Sequence, residues 1–266
     1  MAKAAAPSLD KVRERIDAID RDLLRLIDQR AVLTRDVAAA KQAAGEGGKF
    51  ALRPAREAQI LRRLIASERE AASRGLIVGV WRELMGDSLY QQSNFHIAVW
   101  GAKTPAKVAE LARVRFGSAP PMFNVDQPEQ AIASVRSNGG VAVLAITREH
   151  AWWARLLLEP SLSIFAILPC VSQWGSPAAM AVAQVTPEPS GEGDETLWVT
   201  DSPKYAYEIE TAMGQDGMAA RLVAEANGLK LFALAGFYQA NDDRLARAPG
   251  KLTGVVGVVP VAFDLI

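Results

Sequence analysis

A set of charged and polar residues in the first third of the sequence has types and spacings suited to binding a small anion. The set comprises cations, one carboxylate, one hydroxyl and one amide: Arg13, Arg30, Lys41, Arg56, Glu57, Ser88 and Gln92. It contains neither a nucleophile paired with a base nor a cluster of metal ligands. Such groups position a substrate and stabilise developing charge rather than transfer protons. We therefore predict a pocket for a small dicarboxylate.

Arg30 and Lys41 lie on the apolar stripe of a long predicted helix, from about residue 9 to about residue 44. Its apolar residues recur at steps of three and four, as is typical of a helix packed on helices: Leu9, Val12, Ile16, Ile19, Leu23, Leu26, Leu33, Val37 and Ala40. Arg30 stands where the stripe requires an apolar residue. Lys41 returns to nearly the same face, because eleven residues turn the helix by ~100° each. Buried cations need anionic partners, so this face is expected to meet a ligand.

The length of this helix indicates a homodimer. About 36 residues at ~1.5 Å each make a helix of ~54 Å, far longer than a domain of ~95 residues is wide. Arg13 and Arg30 lie ~25 Å apart along the axis, too far for one metabolite to span. If both serve one pocket, Arg13 comes from the partner chain, whose long helix pairs with this one. The alternative is a coiled coil with later helices of the same chain.

The pattern of elements predicts two domains and the fold class α + α/β. Two shorter helices, at about 54–73 and 77–92, complete an all-helical domain over residues 1–93. Strands and helices alternate over residues 94–266, which indicates an α/β region. A Pro-, Ser- and Gly-containing connection at 187–194 is a further candidate boundary. The order predicted after it, β-α-β-β-α-β, is the split ferredoxin-like arrangement.

Composition excludes several classes of function. The 266 residues include 30 basic and 30 acidic side chains, so neither nucleic acid nor an anionic membrane is expected as the main partner. One cysteine and two distant histidines predict neither a disulfide framework nor a metal site. No run approaches the ~20 apolar residues of a membrane span, and the first residues do not resemble a signal peptide. We expect a cytoplasmic protein without a cofactor.

Five segments of the first third resemble the all-helical chorismate mutases in order, spacing and residue type. They are LDKVRERIDAID (9–20), LLRLIDQR (23–30), VAAAK (37–41), RPAREAQIL (53–61) and DSLYQQ (87–92). The resemblance implies a dimer that is intertwined through its long helices. It also implies the rearrangement of chorismate to prephenate, a Claisen reaction that uses no cofactor and forms no covalent intermediate.

The same resemblance implies roles for individual residues. Arg13 of one chain and Arg30 of the other would bind the substrate carboxylates. Lys41 and Gln92 would donate to the ether oxygen, where negative charge develops. Glu57 would hold the ring hydroxyl.

Three further residues complete the implied site. Ser88 would bind a carboxylate, and Arg56 would support the anionic end of the pocket. Many relatives have an acidic residue near the hydroxyl where this chain has Arg53, so the role of Arg53 in the substrate site stays open.

The remaining two thirds resemble the dehydratase part of bifunctional chorismate mutase–prephenate dehydratases, but with substantial departures. FHIAVWG (95–101) resembles its opening strand and turn, and QAIASVRSNGGVAVLAI (130–146) resembles the helix and strand that follow. ETLWVT (195–200) lies where its Thr-Arg-Phe motif would fall. The motif Thr-Arg-Phe is absent, because Thr196 is followed by Leu197. We therefore expect a degenerate region that is not catalytic. It would be either a binding module for an aromatic amino-acid effector or a structural remnant.

Two rival functions remain open from the sequence. One is a working bifunctional mutase–dehydratase. The other is a helical dimerisation module joined to a ligand-sensing domain, with no enzymatic activity.

Overall fold

A computed structural model of the chain describes residues 8–45, 50–191 and 193–266, apart from the side chains of residues 137 and 138. These residues fall into two units, Met1–Lys49 and Phe50–Ile266. The first unit consists of one helix. The second contains two helices followed by an α/β region with a mixed sheet.

The long helix α1 spans Leu9–Ala43, as the apolar periodicity predicts. Ser8 caps it by accepting a hydrogen bond from the backbone N–H of Lys11 at 3.4 Å. Gly45 follows the helix with a positive φ of 75°, whereas the predicted stops Gly47 and Gly48 lie outside the described residues. None of its side chains is buried. Six apolar side chains of the stripe are at least 50% exposed: Leu9, Ile16, Ile19, Leu23, Leu26 and Leu33.

Two helices open the second unit, α2 at Pro54–Ala66 and α3 at Arg74–Ser93. Helix α2 ends earlier than predicted, at Ala66, and the guanidinium of Arg69 donates to the carbonyl of Ile65 in its last turn and to that of Ser67 just beyond it. Helix α3 begins earlier than predicted because the hydroxyl of Ser73 accepts from the backbone N–H of Leu76 and caps it.

The α/β region contains four further α-helices and nine strands in the described residues. The helices are α4 at Pro105–Phe116, α5 at Pro128–Asn138, α6 at Ala206–Gln215 and α7 at Asp243–Ala246. The strands are β1 at His96–Trp100, β2 at Met122–Asn124, β3 at Gly140–Ala145, β4 at Ser163–Leu168, β5 at Ala179–Ala183, β6 at Asp194–Thr200, β7 at Ala220–Ala226, β8 at Leu229–Ala235 and β9 at Thr253–Pro260.

All nine strands belong to one sheet, in the order β2-β1-β3-β5-β4-β9-β6-β8-β7. Strands β2, β1 and β3 pair in parallel. Strand β5 is antiparallel to both β3 and β4, and β4 joins β9 in parallel. Strands β9, β6, β8 and β7 are antiparallel neighbours. The sheet therefore continues across the 187–194 connection.

The sequence did not predict β2 or β5, since β2 has three residues and β5 is a short run of small apolar side chains. The sequence predicts a helix over residues 152–158, and the structure shows that Trp152–Leu158 form a 3₁₀ helix. Trp152 and Trp153 are fully buried there, and the indole of Trp152 donates to the carbonyl of Ala145 at 2.9 Å. Among the described residues, no helix has the length and apolar character needed to cross a membrane.

Candidate active site

Helix α1 carries three of the predicted site cations. Arg13 is exposed and lies 3.8 Å from the carboxylate of Asp10 in the first turn. Arg30 and Lys41 are partly buried, whereas most side chains of this helix are exposed. Their separation along one helix keeps Arg13 ~25 Å from Arg30 within one chain.

Ser88 and Gln92 lie in the second half of α3, one turn apart on one face. Ser88 is buried, and its hydroxyl donates to the carbonyl of Leu84 at 2.7 Å. The amide of Gln92 donates to the carbonyl of Ser88 at 3.1 Å. The helix ends at Asn94, which adopts a left-handed conformation with φ 42° and donates its N–H to the carbonyl of Tyr90. The predicted polar pair therefore stands near a well-defined helix end.

Arg53 and Arg56 lie at the start of α2, where Pro54 occupies the first turn. Both arginines are exposed. Arg53 forms an ion pair with Glu188 at 3.2 Å, on the connection between β5 and β6. In this structure the guanidinium of Arg53 thus contacts the α/β region.

Glu57 lies between two buried arginines. Its Oε2 atom lies 3.0 Å from Nη1 of Arg82 and 2.7 Å from Nη2 of Arg115. The side chains of Arg82 and Arg115 are only 6% and 5% exposed, and that of Glu57 is 13% exposed. Burial, and after it the neighbouring charge of Arg115, lower the pKa of Arg82 to about 10. At neutral pH the guanidinium of Arg82 therefore remains charged.

Sequence reasoning missed Arg82 and Arg115. A signal for Arg82 was present, because it interrupts the buried stripe of α3 formed by Val78, Met85 and Leu89. The same kind of interruption identified Arg30. Arg115 lies in the last turn of α4 and carries no comparable signal, since a cation near a helix C-terminus is favourable in any helix.

The structure brings some of the predicted residues together. Within Phe50–Ile266, Ser88 and Gln92 are joined by a hydrogen bond. Glu57 is joined to Arg82 on α3 and to Arg115 on α4. Arg13, Arg30 and Lys41 belong to the other unit, so the assembly of all these groups into one pocket stays a prediction.

In the α/β region, Thr196 lies on β6, in the segment where the Thr-Arg-Phe motif would fall. Its hydroxyl donates to the carbonyl of Gly236 at 2.8 Å and accepts from the backbone N–H of Tyr238 at 2.9 Å. These bonds tie β6 to the chain that follows β8. In the part of the chain that the structure describes, no group of three or more His, Cys, Asp or Glu side chains could hold a metal ion.

Residues 12–93 match the family model of chorismate mutase type II. This part of the chain is a chorismate mutase type II domain. It covers most of α1 together with α2 and α3, and it ends where α3 ends. It includes every residue of the predicted site, Arg13 to Gln92.

A curated relative extends the similarity beyond the mutase domain. The chain is 32% identical over 149 residues to a bifunctional chorismate mutase/prephenate dehydratase of Pseudomonas aeruginosa. The aligned part makes up 54% of this chain and 40% of that protein. The chain thus matches less than half the length of the relative. Because 54% of the chain exceeds the mutase domain, the alignment includes part of the α/β region.

Two solved structures resemble the chain more distantly. One is GqqA, described as a novel type of quorum quenching acylase, with 19% identity and a TM-score of 0.42 over 62% of this chain and 94% of that one. The other is a prephenate dehydratase from Streptococcus mutans, with 16% identity and a TM-score of 0.36 over 64% of this chain and 100% of that one. Similarity at this level assigns no function.

Proposed function

We propose that the mutase domain converts chorismate to prephenate, the step that leads toward phenylalanine and tyrosine. The observation that carries the proposal is the family match over residues 12–93, within which the cations, carboxylate, hydroxyl and amide stand in the expected order. The reaction needs a fixed reactive conformer and charge stabilisation, which are the properties that such groups supply.

In the proposed mechanism, four residues bind the substrate carboxylates and stabilise the negative charge that develops as the ether bond breaks. Arg30 of one protomer and Arg13 of the other bind the two carboxylates. Lys41 and Gln92 donate to the ether oxygen as the C–O bond breaks and negative charge grows there. Such donors can each lower the barrier by ~3–4 kcal/mol, because their interaction strengthens in the transition state.

The remaining residues orient the substrate. Ser88 binds a carboxylate and Arg56 supports the anionic end of the pocket. Glu57 holds the ring hydroxyl. Arg53, which is paired with Glu188, is assigned no contact with substrate.

The homodimer is part of the same proposal. Two features of α1 support it: all apolar residues of the stripe except Val12 are exposed, and Arg13 and Arg30 are too far apart to meet in one chain. A second copy of α1 would bury the stripe and supply Arg13. Covering apolar surface at ~25 cal/mol per Å² would provide the driving force.

We further propose that the α/β region is not catalytic and has a ferredoxin-like part over β6 to β9. The ferredoxin-like part is supported by the strand order β9-β6-β8-β7, with α6 after β6 and α7 before β9. The lack of catalysis is supported by the absence of an arginine after Thr196, whose hydroxyl is engaged by backbone groups. This region remains a candidate site for an aromatic amino-acid effector.

A dehydratase activity is the second candidate. It is favoured by the Pseudomonas aeruginosa relative, a bifunctional chorismate mutase/prephenate dehydratase to which part of the α/β region aligns. One assay separates the two candidates: chorismate loss and phenylpyruvate formation from added prephenate are followed with the same purified chain. Phenylpyruvate formation would refute the proposal that the α/β region is not catalytic. If the chain does not consume chorismate, the proposed mutase activity is refuted, and a helical dimerisation module joined to a ligand-sensing domain is favoured.

The ether-oxygen role is tested by Lys41→Ala, with Lys11→Ala on the same helix as the control. We expect Lys41→Ala to lower kcat on the order of a hundredfold, because the lost donor acts in the transition state. Lys11 is exposed in the first turns of α1 and its variant should keep full activity. A loss confined to KM would contradict the role assigned to Lys41.

A further inference from the structure

The ion cluster around Glu57 crosses the boundary of the mutase domain. Glu57 and Arg82 lie on α2 and α3, within residues 12–93. Arg115 lies on α4, more than twenty residues beyond the domain, yet its contact with Glu57 Oε2 is the shorter of the two, at 2.7 Å. The α/β region therefore supplies one of two guanidiniums that hold a predicted substrate-binding carboxylate.

Arg115 is held in place by aromatic rings. Its guanidinium carbon lies 4.8 Å from the ring centroid of Phe116 and 5.8 Å from that of Phe165, within the range of cation–π attraction. Its Nε is buried without a hydrogen-bond partner among the described residues. The charge is thus stabilised by ring faces and by Glu57, and an arginine fixed in this way presents its Nη2 in one direction.

The backbone that carries Arg115 is also fixed against α3. Gly86 of α3 lies so close to the end of α4 that an added Cβ would stand 1.9 Å from the carbonyl oxygen of Phe116. The carboxylate of Glu83 accepts from the backbone N–H of Ser118 at 2.8 Å and from its hydroxyl. These direct contacts between α3 and the chain at the end of α4 therefore set the position of Arg115 relative to α3.

We propose that Arg115, together with Arg82, is a positioning residue for Glu57 in the mutase reaction. This inference rests on the proposed function. The two guanidiniums hold Oε2 through charge-assisted bonds, which fix the rotamer of Glu57 before the substrate arrives. We assign the contact with the substrate's ring hydroxyl to Oε1. The mutase site is then completed by a residue of the α/β region.

The test uses the full-length chain and two substrates, chorismate and an analogue that lacks the ring hydroxyl. Arg115→Met should lower kcat/KM for chorismate on the order of 10- to 100-fold, because a misplaced binding group carries that penalty. For the analogue it should change kcat/KM by less than about twofold, since Glu57 has nothing to bind there. Lys107→Met, an exposed position on the same helix, should match the wild type with both substrates.

Equal losses with both substrates would overturn the proposal, because a general structural defect does not depend on the hydroxyl. Unchanged kcat/KM for chorismate would overturn it as well. Failure of the proposed function looks different: the wild-type chain itself would not rearrange chorismate.

Two further variants keep the proposal falsifiable if Arg115→Met does not fold. Arg115→Lys retains the charge but not the guanidinium geometry, and it should show a smaller loss confined to chorismate. In the background of Glu57→Gln, Arg115→Lys should cause no additional loss of kcat/KM, because Arg115 acts only through Glu57. Additive losses in the double variant would contradict the positioning role.

Discussion

Gly86 of α3 lies directly against the backbone at the end of α4, and replacing it tests how closely the mutase helices pack on the α/β region. A Cβ at residue 86 would lie 1.9 Å from the carbonyl oxygen of Phe116 and 2.7 Å from its carbonyl carbon. Since real Cβ contacts essentially never fall below 3.0 Å, this separation must grow by about 1.1 Å. Both obstructing atoms belong to the backbone, so no side-chain rotation relieves the clash.

Gly79 provides a matched control on the same helix, two turns earlier. A Cβ at that position meets nothing within 4 Å. Gly79→Ala should therefore raise the free energy of unfolding by up to ~1 kcal/mol, through helix propensity alone. Gly86→Ala has the same propensity gain but should lose ~1–3 kcal/mol or more through overpacking. Because the propensity gains cancel, we expect Gly86→Ala to be less stable than Gly79→Ala by ~1–3 kcal/mol or more.

Urea denaturation of the two variants and the wild type, followed by circular dichroism, measures this difference. The m value shows whether the unfolding transition remains comparable among the three proteins. Equal stabilities for Gly86→Ala and Gly79→Ala would refute the close approach of α3 and α4. The fixed position of Arg115 relative to α3 would then lose its main support.

Three other predictions concern the dimer, the α/β region and its junction with α2. Leu23→Asp should convert the dimer to monomers in sedimentation velocity, because it places a charge in the apolar stripe. Leu24→Asp should leave the dimer intact, because Leu24 is off the stripe and 69% exposed. Dimers in both variants would argue against pairing through the stripe. The carboxyl of Asp242 should titrate by NMR with a pKa of about 2. The main cause is the hydrogen bond from the side chain of Arg244, and the next is the hydrogen bond from its backbone N–H. Arg244→Met should therefore raise the pKa of Asp242 toward 3.8. The stabilisation from this pair is complete above pH 3.8 and is lost as pH falls through about 2; an unchanged titration in Arg244→Met would contradict the pairing. Arg62→Met should lower the free energy of unfolding by ~1–3 kcal/mol in urea denaturation, because Arg62 donates to two carbonyls and a hydroxyl in the connection before β6. A loss below ~0.5 kcal/mol would show that these bonds contribute little to stability.

Local sequence patterns predicted most elements of the fold. The apolar repeat located α1 to within a residue or so at each end, and proline at the first turn located the start of α2. The apolar runs at 95–100, 141–146 and 162–169 correspond to strands β1, β3 and β4. These elements have a signal within their own residues. Strands β2 and β5 have none, because their pairing partners rather than their periodicity make them strands.

The candidate site divides in the same way. Residue type and spacing identified Arg30 and Lys41, since a cation on an apolar stripe is visible in sequence. The same signal was present for Arg82, but the sequence did not indicate which carboxylate Arg82 would contact. The surroundings of Glu57 could not be read from the sequence, because Arg82 and Arg115 reach it from 25 and 58 positions away.

The sequence by itself determined the long helix, the mutase motif and the charged groups that could bind a dicarboxylate, because helix periodicity and motif spacing are properties of neighbouring residues. Only the tertiary structure decided that one sheet continues across the 187–194 connection and that α3 meets α4 at Gly86. It also decided that Arg115 shares the carboxylate of Glu57. These features depend on which distant segments pack together, and this packing is governed by the shape and charge of surfaces to which residues far apart in the sequence contribute.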